Sequence, residues 1–206
     1  MGLYKFWHTS TLALLFLGIL AYVNSGCSRS HETGTDQGGT ASLSFDGTHY
    51  DVPGVELLIY VTARADRDQI IELPAGQKAD FHFAIGPTLK AQDETANKPR
   101  EWLLQNMRRV SISWDELQIQ DPEALTNHRI SESDTTRLYM SLVLPNYGLI
   151  SDNPIKQDKW IQIDQISQGR ALGHFGGTFA DPKSLQSIEV TDGTFDVPLE
   201  KLYKYK

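Results

Sequence analysis

Ala79-Asp80-Phe81-His82-Phe83-Ala84-Ile85 is the stretch from which the fold of this chain can be read. Its large apolar side chains fall on every second residue, with Asp80 and His82 between them. A β-strand is the regular backbone that turns such a set to one side. Working outward, the same period recurs. Val110, Ile112 and Trp114 alternate with Ser111 and Ser113, and Leu138, Met140, Leu142 and Leu144 alternate with Tyr139, Ser141 and Val143 until Pro145 stops the run. Shorter strand candidates lie at 43–45, 50–52, 57–62, 69–73, 117–120, 160–163, 172–180, 187–190 and 194–197. Many short, half-buried strands between turn signals predict an all-β domain, an antiparallel β-sandwich or a partly open barrel.

Helical patterning is confined to 97–108, where Asn97 offers a cap, Pro99 stands early and straight-chain residues follow. One short helix is therefore expected. The segments 90–98, 121–134 and 145–159 are polar and read as surface connections, the last broken by Asn146, Gly148, Asn153 and Pro154.

Two stretches echo each other. Asp46-Gly47-Thr48-His49-Tyr50-Asp51-Val52-Pro53 and Asp192-Gly193-Thr194-Phe195-Asp196-Val197-Pro198 share Asp-Gly-Thr, an aromatic and Asp-Val-Pro, with His49 extra in the first. Asp-Gly between alternating runs is the strongest short hairpin signal, because a type I′ turn needs positive φ at both central residues. Convergence on one good turn and internal duplication both account for the echo. Either way a hairpin is expected near each end of the domain.

The N-terminus carries a different signal. Lys5 precedes an apolar run over residues 12–23, and Asn24-Ser25-Gly26 lead into Cys27, the only cysteine in the chain. That run is shorter than the roughly 20 residues a membrane-spanning helix needs, and it fits a cleaved signal. A small pair before a thiol resembles the lipobox of bacterial lipoproteins. Asn24 departs from the Leu usual in that position. The resemblance implies removal of residues 1–26, acylation of Cys27 with palmitate-type chains, and, with Ser28 following, an outer-membrane anchor facing the periplasm. Residues 27–40 hold no large apolar side chain and read as a flexible tether, which leaves 41–206 as one domain. An exported domain with no second cysteine has no internal disulfide and folds on its core alone.

The C-terminal part resembles a group of uncharacterised bacterial lipoproteins with a β-sandwich domain. One of their patterns, G-x-F-x-G-T-F, is met by Gly173, Phe175, Gly177, Thr178 and Phe179. Another, V-T-x-G-x-F, is met by Val190, Thr191, Gly193 and Phe195, and 43–47 is similar to their opening strand and turn. The resemblance covers about a quarter of the chain. It implies a fold and an anchor, and no activity.

Without the leader and its Lys5, 18 of the 19 Lys and Arg remain against 26 Asp and Glu. So acidic a chain is repelled by phosphate backbones, which excludes nucleic acid as the expected partner. Arg108-Arg109 is the local exception and reads as a solvated pair. The sequence contains no G-x-S-x-G, P-loop, G-x-G-x-x-G, H-E-x-x-H or C-x-x-C motif. His8 and His31 lie in the leader and tether. His49, His82, His128 and His174 never fall at ligand spacing on one element. Asp66 and Asp68 offer oxygens suited to calcium, but the interleaved Arg64 and Arg67 favour a charge-balanced turn. No catalytic residue, metal or cofactor is therefore expected.

Trp102, Tyr147 and Trp160 remain as candidate binding residues, aromatic surfaces able to receive a glycan or an apolar guest. Trp114 falls on the inward positions of its strand and belongs to the core. The chain reads as a membrane-anchored, non-enzymatic binding or assembly module of the cell envelope. Its expected partners are the bilayer, through acylated Cys27, and an envelope protein met by the loops 86–101 and 145–159. A lipocalin-like carrier of a small apolar ligand is the alternative, although the G-x-W of lipocalins is missing. An envelope hydrolase ranks below both.

Overall fold

The computed structural model describes residues 38–61, 70–131, 137–152, 158–180 and 187–206. Within them the alternating segments become strands β1 (Gly39–Phe45), β2 (Thr48–Val61), β3 (Ile71–Leu73), β4 (Ala79–Pro87), β5 (Arg109–Ile119) and β6 (His128–Ser131). The chain continues through β7 (Leu138–Leu144), β8 (Gly148–Asp152), β9 (Trp160–Ser167), β10 (Arg170–Ala180), β11 (Ser187–Lys201) and β12 (Tyr203–Tyr205). Two helices, α1 (Leu89–Ala96) and α2 (Arg100–Asn106), link β4 to β5, and a 3-10 turn spans Pro122–Leu125. The domain is all-β, as its period-two patterning predicts.

Ten strands pair in the order β1-β11-β2-β4-β5-β7-β8-β10-β9-β6, with further pairings β1–β2 and β11–β10. These pairings close a ring through β2, β4, β5, β7, β8, β10, β11 and back to β2. The ring has seven members, and in a ring of antiparallel neighbours directions alternate, so an odd number forces one parallel contact. That contact is β2–β11, at Leu57↔Leu199, Leu58↔Glu200 and Lys201↔Ile59. β1 is wedged between the same two strands further along, antiparallel to both. β9 and β6 extend from the edge of β10 that also carries β8. The other neighbours in the large sheet are antiparallel, as expected, and a second parallel pairing joins β12 to β3 in the small sheet.

The inward residues of each strand form one core. Phe45, Phe81, Phe83, Trp114, Phe175 and Phe179 are fully buried, and Phe83 stacks on Trp114 at 4.8 Å with the rings 7° apart. Each such side chain contributes about 1.5–3 kcal/mol on burial, so the aromatics are the heaviest single terms. The Trp114 indole N–H has no acceptor among the described residues.

The C-terminal glycine patterns form one device. Gly173 lies opposite Phe195, and Gly193 opposite Phe175, across β10 and β11. A Cβ at Gly173 would meet Phe195 Cζ at 2.5 Å, and one at Gly193 would meet Phe175 Cδ2 at 2.7 Å. Each ring lies over the glycine of the other strand, which a side chain there would prevent.

Several expectations change. Residues 89–96 form a helix where a polar loop was expected, so there are two helices among the described residues instead of one. Thr88 starts α1, its hydroxyl accepting from the Ala91 N–H at 3.2 Å, and Asn97 closes that helix instead of opening the next. α2 follows Pro99, whose fixed φ suits a helix start. The connection 145–159 contains β8, and 121–134 contains β6. Asp46-Gly47 makes its hairpin, with Phe45 opposite Thr48, whereas Asp192-Gly193 lies inside the continuous strand β11. β1 begins at Gly39, inside the expected tether, and a Cβ on Gly39 would strike the backbone of Asp196 and Val197.

Candidate functional site

Helix α1 packs against β2 and β4 near the end of their pairing at Val55↔Pro87, and α2 packs against β7. Local bonds fix them there. The Thr88 N–H donates to the Gly54 carbonyl at 2.8 Å, and the Asn106 side chain donates to the Trp102 carbonyl at 2.9 Å. The Asn146 N–H, in the turn between β7 and β8, donates to the Leu104 carbonyl at 2.9 Å. Arg108 Nη1 donates to the Asp51 carbonyl at 3.3 Å, tying the exit of α2 to β2.

Between the helices and β2 is a recess of about 250 Å³. Val52, Val55 and Val110 give it an apolar floor, Trp102 is one wall, and Glu94, Arg108 and Arg109 also line it. Trp102 is 39% exposed, and the Lys98 ammonium lies 5.3 Å from its ring centroid. Arg109 is half-buried, and burial lowers its guanidinium pKa from the ordinary arginine value. It stays cationic all the same. The Arg109 guanidinium forms no hydrogen bond or ion pair among the described residues, and neither does the exposed Glu94 carboxylate. A half-buried cation has lost part of its hydration without gaining a counter-charge, which leaves it able to accept an anion from outside.

The recess was only partly visible in advance. Of the three predicted aromatic residues, Trp102 lines it. Tyr147 packs edge-on against Phe45 at 5.1 Å and donates its hydroxyl to Asp46 Oδ2 at 2.7 Å, so it pins the β1–β2 hairpin. Trp160 lies under the Arg129 guanidinium, 4.2 Å from its ring centroid, and beside Gly176. The reading of Arg108-Arg109 as a solvated pair is corrected for Arg109. It opens β5 directly after α2, and no pattern in the sequence marks it as covered.

Cys27, Asp66 and Asp68 lie outside the described residues, as do His8 and His31. His82 bonds Asp115 at 2.6 Å and packs tilted against Tyr60 with ring centroids 4.7 Å apart, His174 meets Asp164 at 3.0 Å, and His49 meets Asp51 at 3.4 Å. A His–Asp pair activates a nucleophile only when one is bonded to the other ring nitrogen. Among the described residues, no hydroxyl or thiol bonds any of these rings. No three His, Cys, Asp or Glu among the described residues group as metal ligands. No described helix is long and apolar enough to cross a membrane.

Comparison with family models, curated proteins and solved structures gives no match.

Proposed function

We propose that this chain is a non-enzymatic binding module of the bacterial cell envelope, held on the outer membrane by an acylated Cys27. Its β-domain presents the recess beneath α1 and α2. The observation that carries the reading is Arg109, half-buried and without a counter-charge among the described residues, beside the exposed Trp102. The main alternative, a carrier holding an apolar guest inside the ring, is disfavoured because fully buried Phe81, Phe83, Trp114, Phe175 and Phe179 occupy the core. Small barrels filled by side chains hold no guest.

Two measurements test the parts separately. Growth with labelled palmitate is expected to label the wild type but not Cys27→Ala, and that variant is expected to leave the membrane. An unlabelled wild type together with a membrane-bound Cys27→Ala would overturn the anchor. A photocrosslinking residue at exposed Gln105 on α2 is expected to capture an envelope component, while one at exposed Glu189 on β11 captures none. Equal capture at both positions, or none at either, would overturn the recess as the binding surface.

A further inference from the structure

We infer that the recess takes a phosphoethanolamine-type lipid headgroup, with the phosphate at Arg109 and Arg108 and the ammonium at Glu94, beside the Trp102 wall. The inference rests on the reading of the recess as a binding surface and names its occupant.

Charge is the first support. Arg109 and Glu94 line one small recess without pairing with each other or with any other described group. A simple anion would be drawn by the arginine and opposed by the glutamate. A zwitterion is complemented by both. The surrounding segment fits this preference. Residues 88–110 carry Lys90, Lys98, Arg100, Arg108 and Arg109 against Asp93, Glu94 and Glu101, a net +2 (5 − 3), whereas the whole chain is at −7. The segment is a cationic island on an acidic chain, suited to approaching lipid phosphates.

Size is the second support. A recess of about 250 Å³ falls below the ~300–1,000 Å³ of sites that enclose whole small ligands. It can take a headgroup while the acyl chains stay in a bilayer outside.

Position is the third. The described chain begins at Gly38, where a Cβ would come within 2.8 Å of both Gly54 and the Thr88 methyl, at the start of α1. Gly38 itself therefore stands at the rim of the recess. Cys27 and Gly38 are 11 positions apart (38 − 27), so the link between them spans roughly 40 Å at most. The recess is thus held within reach of lipid headgroups at high local concentration, and a weak site would be occupied there.

The test uses the full-length acylated chain in maltoside micelles, which carry no phosphate. It is labelled with 5-fluorotryptophan, and the Trp102 fluorine resonance is assigned by Trp102→Phe. Soluble phosphoethanolamine is expected to move that resonance saturably and to bind more tightly than phosphoglycerol or inorganic phosphate. Arg109→Gln is expected to weaken binding about tenfold. Glu94→Gln is expected to lower the preference over phosphoglycerol about threefold while the chain stays folded by thermal unfolding. If Arg109→Gln fails to fold, Arg108→Gln serves in its place. Doping the micelles with short-chain phosphatidylethanolamine, but not phosphatidylglycerol, is expected to shift the resonance to the same bound position.

No shift with phosphoethanolamine overturns the inference. Equal affinity for inorganic phosphate marks a free-anion site and overturns it too, as does binding of the soluble group without response to the lipid. A protein adduct as the main product of crosslinking at position 105 assigns the recess to an envelope protein and also overturns it. The titration reads the recess whether or not Cys27 carries a lipid, and palmitate labelling reads only the anchor, so the two failures are distinguishable.

Discussion

Asp46-Gly47-Thr48 and Asp192-Gly193-Thr194 open with the same three residues and run on to the same Asp-Val-Pro. One reverses the chain, and the other passes straight through a sheet. At the first, Asp46 and Gly47 take φ of 50° and 73°, the paired positive values of a two-residue turn, and nothing lies within 4 Å of where a Gly47 Cβ would be. At the second, Gly193 stays extended and is roofed by Phe175 of the neighbouring strand. The surroundings decide between them. β1 gains β2 as its second partner only if the chain folds back onto it at residue 48, while β11 is paired with β10 from Ser187 to Pro198 and loses that ladder if it turns. Asp-Gly therefore permits a reversal, and neighbouring strands determine whether one happens.

The echo has a second consequence. β1 lies between the two copies, with Ala41 opposite both Val52 and Phe195, and Ser42 opposite both Asp51 and Thr194. The Ser42 and Thr194 hydroxyls are 2.8 Å apart. Being antiparallel to β1 on either side makes β2 and β11 parallel to each other. That is the direction in which they pair directly once β1 ends. The parallel seam of the ring is thus where the two similar segments meet.

The hardest test of this contrast is Gly193→Ala. A methyl there meets the Phe175 ring at 2.7 Å and its carbonyl oxygen at 2.5 Å, neither of which can move far in a paired strand. Overpacking of this kind is expected to lower stability by about 2–3 kcal/mol in urea unfolding. Adding Phe175→Leu should return part of the loss, because the ring is one of the two obstacles. A loss under about 0.5 kcal/mol would mean that the close approach does not shape β11.

Gly47→Ala probes the other copy, where backbone conformation and not space is the constraint. The expected loss is about 1–2 kcal/mol, the cost of a left-handed conformation for an L-residue. Gly47→Asn should recover at least half of it, since Asn tolerates that region. If Asn proves as costly as Ala, positive φ is not what glycine supplies at this position, and the two copies differ less than their backbones indicate.

These contrasts mark how far the sequence could be read. The strands at 79–87, 109–119 and 138–144 were legible because each has one buried and one outward face, and period two survives any tertiary arrangement that keeps it so. Ring closure was not legible. It depends on Leu199 meeting Leu57 across most of the chain, and neither residue differs from an ordinary core leucine. Helix α1 was hidden because its sequence, LKAQDETA, has almost no apolar stripe and is held by the Thr88 cap and by contact with β2. Of the recess, Trp102 could be suspected from its type alone. Arg109 could not, since its loss of water comes from neighbours that the linear sequence does not bring together.

The smallest expected effect separates the two aspartates. Asp46 accepts a hydroxyl from Tyr147, whereas Asp192 Oδ1 accepts the Ser44 N–H at 2.9 Å and so joins β11 to the end of β1. Partial burial pushes the Asp192 carboxyl up, but hydrogen bonds from the Ser44 side chain and backbone outweigh it and hold the group below its usual range. A carboxyl whose folded pKa lies below its unfolded value stabilises the fold fully above about pH 4, and that contribution is lost as pH falls through the folded value. Asp192 is largely exposed, so after screening the contribution is under about 1 kcal/mol. Asp192→Asn should therefore lie slightly below the wild type at pH 7, with the gap closing as the solution is acidified below about pH 4. Urea midpoints measured at pH 7, 5, 4 and 3 read this directly. A gap that stays constant across that range would show that the amide loses packing or geometry instead of charge. The second Asp-Gly would then differ from the first in backbone path alone.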